Sequence, residues 1–155
     1  IDQECIKTNC ARDLAGVVPT EMLDHIDFSK ACGSYRDGRV SAMVVMSPAL
    51  GWLFEQESLQ KINIPIYIVA PEKDQIVPTD TNAKIFASNI AKSYLKIVRG
   101  EADHYVFLNR PTAMGKRFLE AKYCEDPASI DRKKIHEEVA KNTIIFFDDY
   151  LRSSR

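Results

Sequence analysis

Three apolar segments in the middle of the chain set its hydrophobic pattern. Val40–Met46 and Ile64–Ala70 are almost unbroken apolar runs, and such runs are typical of strands that are covered on both faces of a sheet. "SYLKIVRG", residues 93–100, has the pattern of a third strand. We therefore predict parallel strands near 40–46, 64–70 and 94–98, of which the first two are inner strands.

Segments with helical or loop patterns separate and follow these strands. "GWLFEQESLQKIN" predicts a loop with a short helix, Thr79 or Asp80 is placed to cap a second helix, and Asp131 is placed to cap a long last one. The two capped helices have apolar stripes at Ala83, Phe86, Ala87, Ile90 and Ala91, and at Ala140, Ile144, Phe147 and Leu151. This alternation of strands and helices indicates an α/β fold with flanking helices.

The beginning of the chain follows no such alternation. Residues 1–38 contain cysteines, one helical segment and the turn sequence "GSYRDG". We predict one structural domain overall, in which residues 1–38 form a cysteine-containing insertion with a helix and residues 39–155 form the α/β unit.

Two polar residues follow the second and third predicted strands. Asp74 comes shortly after Ala70, and His104 comes shortly after Gly100. Because neighbouring parallel strands end at the same edge of a sheet, we expect the two side chains to meet there. An acid in that position orients an imidazole and leaves its other nitrogen free to take a proton from a nucleophile. Asp103 is a poor alternative acid, because adjacent loop residues rarely aim their side chains at each other.

Composition and charge narrow the class of ligand. The 155 residues are 45% hydrophobic, and 21 basic against 22 acidic residues give a formal net charge of -1. A balanced charge without a basic stripe does not favour a nucleic acid or an anionic membrane surface as partner, and no apolar stretch approaches the length of a membrane span. We expect a small, roughly neutral ligand and neither a metal nor an organic cofactor.

The cysteines Cys5, Cys10, Cys32 and Cys124 match no paired zinc-binding spacing. Either they form disulfides or they are free thiols of a cytosolic protein. We favour disulfides, with Cys5–Cys10 as the first pair because a short loop closes at low entropic cost. That interpretation places the protein in an oxidising compartment, periplasmic or secreted. Cys124 is interpreted as structural rather than nucleophilic.

"SPALG", "EKDQIVP", "ADHYVFL" and "CEDPASIDRKKIHEEVA" together resemble the C-terminal half of α/β-hydrolases, in particular the dienelactone hydrolase-like and platelet-activating-factor acetylhydrolase-like branch. The resemblance covers roughly residues 36–151. It implies a partial α/β-hydrolase fold and an ester hydrolase in which Asp74 is the acid and His104 the base of a catalytic triad.

The sequence departs from this family at the nucleophile. No G-x-S-x-G elbow and no oxyanion-hole segment are present, and no serine lies in the required strand-turn-helix context. We therefore expect the chain to be inactive by itself, with an N-terminal half missing. We also expect the exposed edge of strand 40–46 to be covered by that half or by a second copy. The alternative is a noncatalytic α/β module that binds a ligand or a protein.

Other residues have open interpretations. Trp52, Leu53 and Phe54 form either the wall of an acyl pocket above the histidine or the core under a short helix. His25 and His136 lie on predicted helix surfaces and are interpreted as solvated.

Overall fold

The computed structural model describes residues 36–151. The chain divides into two compact units, residues 1–38 and 39–155, and every element below belongs to the second. Its sheet contains β1 (Met43–Met46), β2 (Ile66–Pro71) and β3 (Ser93–Val98) in the order β1-β2-β3. Both pairings are parallel. The predicted parallel strands and the α/β arrangement are therefore confirmed, with boundaries displaced by up to three residues at their starts.

β2 is the central strand, and all of its residues are buried. β1 pairs only with β2 among the described residues, and Met43 and Met46 are 38% and 53% exposed. The prediction that residues 40–46 form an inner strand is thus wrong for the described part of the sheet. A continuous apolar run indicates that both faces of a strand are covered. It does not show whether a neighbouring strand pairs along each of its two edges.

The sheet is accompanied by five α-helices and three short 3-10 helices within residues 36–151. The α-helices are α1 (Gln56–Gln60), α2 (Ala83–Asn89), α3 (Ala113–Phe118), α4 (Ala121–Cys124) and α5 (Arg132–Leu151). The 3-10 helices are Gly51–Leu53, Thr79–Thr81 and His104–Phe107. No helix in this part of the chain combines the length and the apolar character that a membrane crossing requires.

The capping predictions are confirmed at one helix and wrong at another. Asp131 Oδ1 accepts a hydrogen bond from the Lys134 amide at 3.1 Å, as expected of an N-cap. Thr79 and Asp80 instead lie in a 3-10 helix, and the residue before α2 is Asn82. The Thr79 hydroxyl donates to the Pro71 carbonyl at 2.7 Å. It therefore fastens the loop to the end of β2 and does not cap the helix.

Alternating side chains of β2 form the centres of two apolar clusters, one on each face of the sheet. Ile66, Ile68 and Ala70 pack with Leu59 and helix α2. Tyr67 and Val69 face the other way and pack with the 3-10 helix His104–Phe107 and with α5. This period of two places α5 and the turn containing His104 on the same side of the sheet.

A buried ion pair joins the start of α5 to the segments before it. Arg132 has a side chain that is 4% exposed, and its Nε and Nη2 donate to the two carboxylate oxygens of Asp126, each at 2.8 Å. Nη1 donates to the carbonyls of Leu108 and Tyr123 at 3.3 and 3.1 Å. The guanidinium therefore fixes the loop after His104–Phe107 and the end of α4 to the first turn of α5.

We expect Arg132→Ala to lower the free energy of unfolding by about 3–5 kcal/mol, because it leaves the Asp126 carboxylate and two carbonyls without their partner. Denaturant unfolding monitored by circular dichroism measures this loss. Lys84→Ala is the control, since it breaks the exposed Asp80–Lys84 pair and costs at most about 1 kcal/mol. Equal losses for the two variants would contradict the structural role of Arg132.

Candidate active site

The loops that follow β2 and β3 lie side by side because their backbones continue the pairing of the strands. The amide of Glu72 donates to the Val98 carbonyl at 2.9 Å, and the amide of Lys73 donates to the Ala102 carbonyl at 3.0 Å. Gly100 turns the second loop with φ 89°, a conformation that strains a residue with a Cβ. Its amide donates to Glu72 Oε2 at 2.8 Å. The two loops are thus connected by backbone hydrogen bonds before the chain reaches Asp74 or His104.

Asp74 and His104 meet at this edge of the sheet. His104 Nδ1 lies 2.8 Å from Asp74 Oδ2. The Asp74 side chain is fully buried, whereas that of His104 is 25% exposed. The predicted contact between the two residues is therefore confirmed, although the catalytic role assigned to them stays a prediction.

The second carboxylate oxygen of Asp74 accepts hydrogen bonds from the backbone of its own loop. Oδ1 accepts from the amides of Ile76 and Val77 at 3.0 and 2.7 Å. These donors compensate the buried carboxylate and hold it in one orientation. An ionised carboxylate only accepts hydrogen bonds, so Nδ1 of His104 must carry a proton. In the neutral ring the lone pair is then on Nε2, which has no partner among residues 36–151.

Asp103 has a positioning function that the sequence analysis missed. Its Oδ1 accepts from the amide of His104 at 2.7 Å and from the amide of Gln75 at 3.0 Å. One carboxylate oxygen therefore connects the two loops next to the catalytic candidates. As expected, Asp103 is not the acid partner of the imidazole. An aspartate directly before a helical turn was the available signal, since this residue type favours the N-cap.

The 3-10 helix containing His104 is also attached to α5. Val106 is 2% exposed, and its carbonyl accepts a hydrogen bond from His136 Nε2 at 2.8 Å. The prediction that His136 is merely solvated is therefore wrong: helical periodicity places it on a surface, but that surface is half-covered by the turn. His25 lies outside the described residues.

A pair of tyrosines borders the imidazole. The ring of Tyr105 meets that of His104 edge to face, with 5.3 Å between centroids, and Tyr123 packs edge to face on Tyr105 at 4.7 Å. The pKa of Tyr105 is raised. Desolvation by partial burial is the largest cause, and the hydrogen bond with Tyr123 is the second. Tyr105 therefore stays a neutral phenol at physiological pH and adds no anion beside Asp74.

Of the predicted acyl-pocket residues, Phe54 contacts helix α2. Phe54 packs edge to face on Phe86 of α2 at 5.4 Å between centroids, and Trp52 is 43% exposed. Leu53, the last residue of the 3-10 helix Gly51–Leu53, is half-buried. The role of these three residues in a pocket stays a prediction.

Cys124 has a free, half-buried thiol whose Sγ lies 3.8 Å from the Gly115 carbonyl. The structure therefore does not have all four cysteines paired in disulfides. Cys5, Cys10 and Cys32 lie outside the described residues, so the Cys5–Cys10 pairing stays a prediction.

Ser47 has a strained conformation at the same end of the sheet. It follows β1 directly, has φ 44°, and donates its amide to the Val69 carbonyl at 2.8 Å. Its hydroxyl is buried and has no hydrogen-bond partner among the described residues. No described serine, Ser47 included, contributes a hydroxyl to the imidazole of His104, so the described residues contain an acid and a base in contact but no nucleophile in contact.

Among residues 36–151, no cluster of three or more histidine, cysteine, aspartate or glutamate side chains is arranged to bind a metal ion. No family model matches this chain, and neither a curated protein nor a solved structure matches it.

We expect neutral His104 to be protonated at Nδ1, because the acceptor-only carboxylate of Asp74 faces that nitrogen. Nitrogen-15 NMR of the imidazole distinguishes the two tautomers. Asp74→Asn should reduce this preference, since the amide can donate to Nδ1 as well as accept from it. Asp80→Asn changes an exposed carboxylate in the same loop and should leave the tautomer unchanged. A neutral wild-type ring protonated mainly at Nε2 would refute the assignment.

Proposed function

We propose that residues 39–155 contribute the acid and the base of a serine-type ester hydrolase, with the nucleophile supplied from outside the described residues. The observation that supports this proposal is the Asp74–His104 contact of 2.8 Å, in which the acid is buried and the base is partly exposed. That difference suits an orienting acid and a base that reaches a substrate.

Each residue then has a defined task in acyl transfer. His104 Nε2 takes the proton of the nucleophile as its oxygen attacks the ester carbonyl carbon. Asp74 keeps the ring in the required tautomer and stabilises the imidazolium that forms. The imidazolium then returns the proton to the leaving alcohol. In the second half of the reaction, Nε2 takes a proton from the water that attacks the acyl carbon. The bond between that carbon and the nucleophile oxygen then breaks, the imidazolium returns the proton to this oxygen, and the carboxylic acid leaves.

The hydrogen bonds around the pair suit this chemistry. Asp74 receives two amides of its own loop, Asp103 connects that loop to the backbone of His104, and His136 attaches the turn to α5. A base held by fixed partners loses little entropy when it reacts, and this orientation is a large part of catalytic acceleration. The substrate we propose is a small-molecule ester.

The edge of β1 is the surface on which we propose that the nucleophile-bearing segment pairs. Met43 and Met46 are exposed there, and β1 has β2 as its only partner strand within the described sheet. An exposed apolar edge strand favours addition of another strand. Its occupant is either an upstream half of the same protein or, in self-association, a second copy of the chain.

A noncatalytic binding module is the second proposal. It is favoured by the lack of a hydroxyl nucleophile in contact with His104 in the described part of the chain. In that case the crevice at the strand ends binds a ligand or a protein, and the Asp74–His104 pair stabilises the loops that form it.

We expect Asp74→Asn to lower the rate of ester hydrolysis by about 10⁴-fold in the product of the complete reading frame, with the fold retained. The reason is that the amide no longer fixes the tautomer or stabilises the imidazolium. Turnover of p-nitrophenyl esters measures the change, and His104→Ala should abolish turnover similarly. Asp80→Asn, an exposed change in the same loop, should have the wild-type rate.

A fluorophosphonate probe separates the two proposals. A hydrolase predicts one labelled serine outside residues 36–151, identified by peptide mass spectrometry, and loss of labelling in His104→Ala. The binding module predicts no labelling. Wild-type turnover in His104→Ala would exclude the assignment of His104 as the base.

A further inference from the structure

An exposed apolar surface lies on helix α3, the next helix after the turn that contains His104. Met114 and Phe118 of α3 are 71% and 75% exposed, and Leu119, which directly follows the helix, is 54% exposed. Phe118 is the most exposed large hydrophobic residue in the described part of the chain. We refer to Met114, Phe118 and Leu119 as the α3 patch. Apolar side chains grouped and exposed in this way are typical of a surface that contacts another molecule.

Helical geometry places these side chains on one side of α3. At about 100° per residue, Met114, Phe118 and Leu119 fall within an arc of about 140°. Arg117 then borders this arc on one side, and Lys116 borders it on the other. The guanidinium carbon of Arg117 lies 5.8 Å from the centroid of the Phe118 ring, so its charge is held against the patch. The α3 patch therefore has a cation on each side.

The charge around the α3 patch is positive. Residues 108–124 contain four basic residues and one acidic residue, Glu120. Lys122 is paired with Glu120 at 2.8 Å. The other basic residues, Arg110, Lys116 and Arg117, are exposed, and none of them has a salt bridge within residues 36–151. The net charge of -1 over the whole chain does not show this local excess.

Hydrogen bonds connect α3 to the rest of the fold. Thr112 Oγ1 accepts from the Gly115 amide at 3.0 Å and caps the helix. Cys124 Sγ lies 3.8 Å from the Gly115 carbonyl, which joins the end of α4 to α3. Arg132 of α5 in turn donates to the Tyr123 carbonyl at 3.1 Å. The apolar side chains are thus exposed on a capped helix that is attached to its neighbours.

We propose that the α3 patch binds the surface of an anionic phospholipid membrane. Met114, Phe118 and Leu119 then enter the boundary between headgroups and acyl chains, while Lys116 and Arg117 contact lipid phosphates. Lysine is depleted in protein–protein interfaces, whereas lysine and arginine beside exposed apolar residues are typical of interfacial membrane binding. The binding is peripheral, not a membrane crossing, and the proposal does not depend on the hydrolase function.

The test is co-sedimentation of the product of the complete reading frame with lipid vesicles. One set of vesicles contains phosphatidylcholine and phosphatidylglycerol, and the other contains phosphatidylcholine alone. We expect binding to the anionic set to be about a hundredfold tighter, because each of three cations without an acidic partner contributes about fivefold. Equal binding to the two sets, or no binding to the anionic set, would overturn the proposal.

Matched variants assign the binding to the α3 patch. Phe118→Ser should weaken binding to the anionic vesicles about tenfold, whereas Ile144→Ser, which changes a 62% exposed residue of α5, should not. Lys116→Ala should weaken it about fivefold, whereas Lys92→Ala, an exposed change at the start of β3, should not. Circular dichroism checks that the four variants keep the fold. Equal losses in a variant and its control would contradict the site.

The Phe118→Trp variant distinguishes a lipid surface from a protein as the occupant. The fluorescence that it adds to the wild-type spectrum should be that of a solvent-exposed indole without vesicles, and it should shift to shorter wavelength with anionic vesicles. Short-wavelength emission without vesicles would overturn the proposal and assign the α3 patch to a contact with protein. A dimer in sedimentation velocity that Phe118→Ser dissociates would likewise overturn it and assign the patch to a second copy of the chain.

Discussion

The parallel pairing of β2 with β3 is the constraint on which the candidate site depends. Because the two strands run side by side, their carboxyl ends lie at one edge, and the backbone hydrogen bonds from Glu72 to Val98 and from Lys73 to Ala102 continue the pairing into the loops. Asp74 and His104, thirty positions apart in sequence, are brought within 2.8 Å by this continuation. Without it, a buried carboxylate would lack the ring that compensates it.

Helix α5 gives that edge its stability. Arg132 in its first turn holds the carbonyls of Leu108 and Tyr123, and His136 one turn later holds the carbonyl of Val106. The turn with His104 is therefore attached on two sides, to the β2 loop through Asp103 and to α5 through these donors. These attachments on two sides fix the position of the imidazole. The further half of α5 packs on the aromatic residues of β2 and β3, through Phe146 on Tyr67 and Tyr94.

The contact between Asp74 and His104 could be predicted because strand-end positions follow from the order of the elements. In contrast, the long-range contacts that position them could not be predicted from the sequence, although the N-cap preference of aspartate was a local signal at Asp103. Asp103, His136 and Arg132 act on backbone atoms of segments distant in sequence, and no periodicity indicates which carbonyl or amide a side chain will meet. The cap of α2 was mispredicted for the same reason, since Thr79 donates to a carbonyl eight residues before it.

The sequence by itself determined the number and direction of the three described strands, the helices between them and the residues at the strand ends, because these depend on local hydrophobic pattern and on the geometry of parallel crossovers. Only the tertiary structure decided which strand is central, which side chains cover each face and which groups fix the imidazole. These features depend on packing between segments far apart in the chain. The residue types permit that packing, but it is specified only when the segments meet.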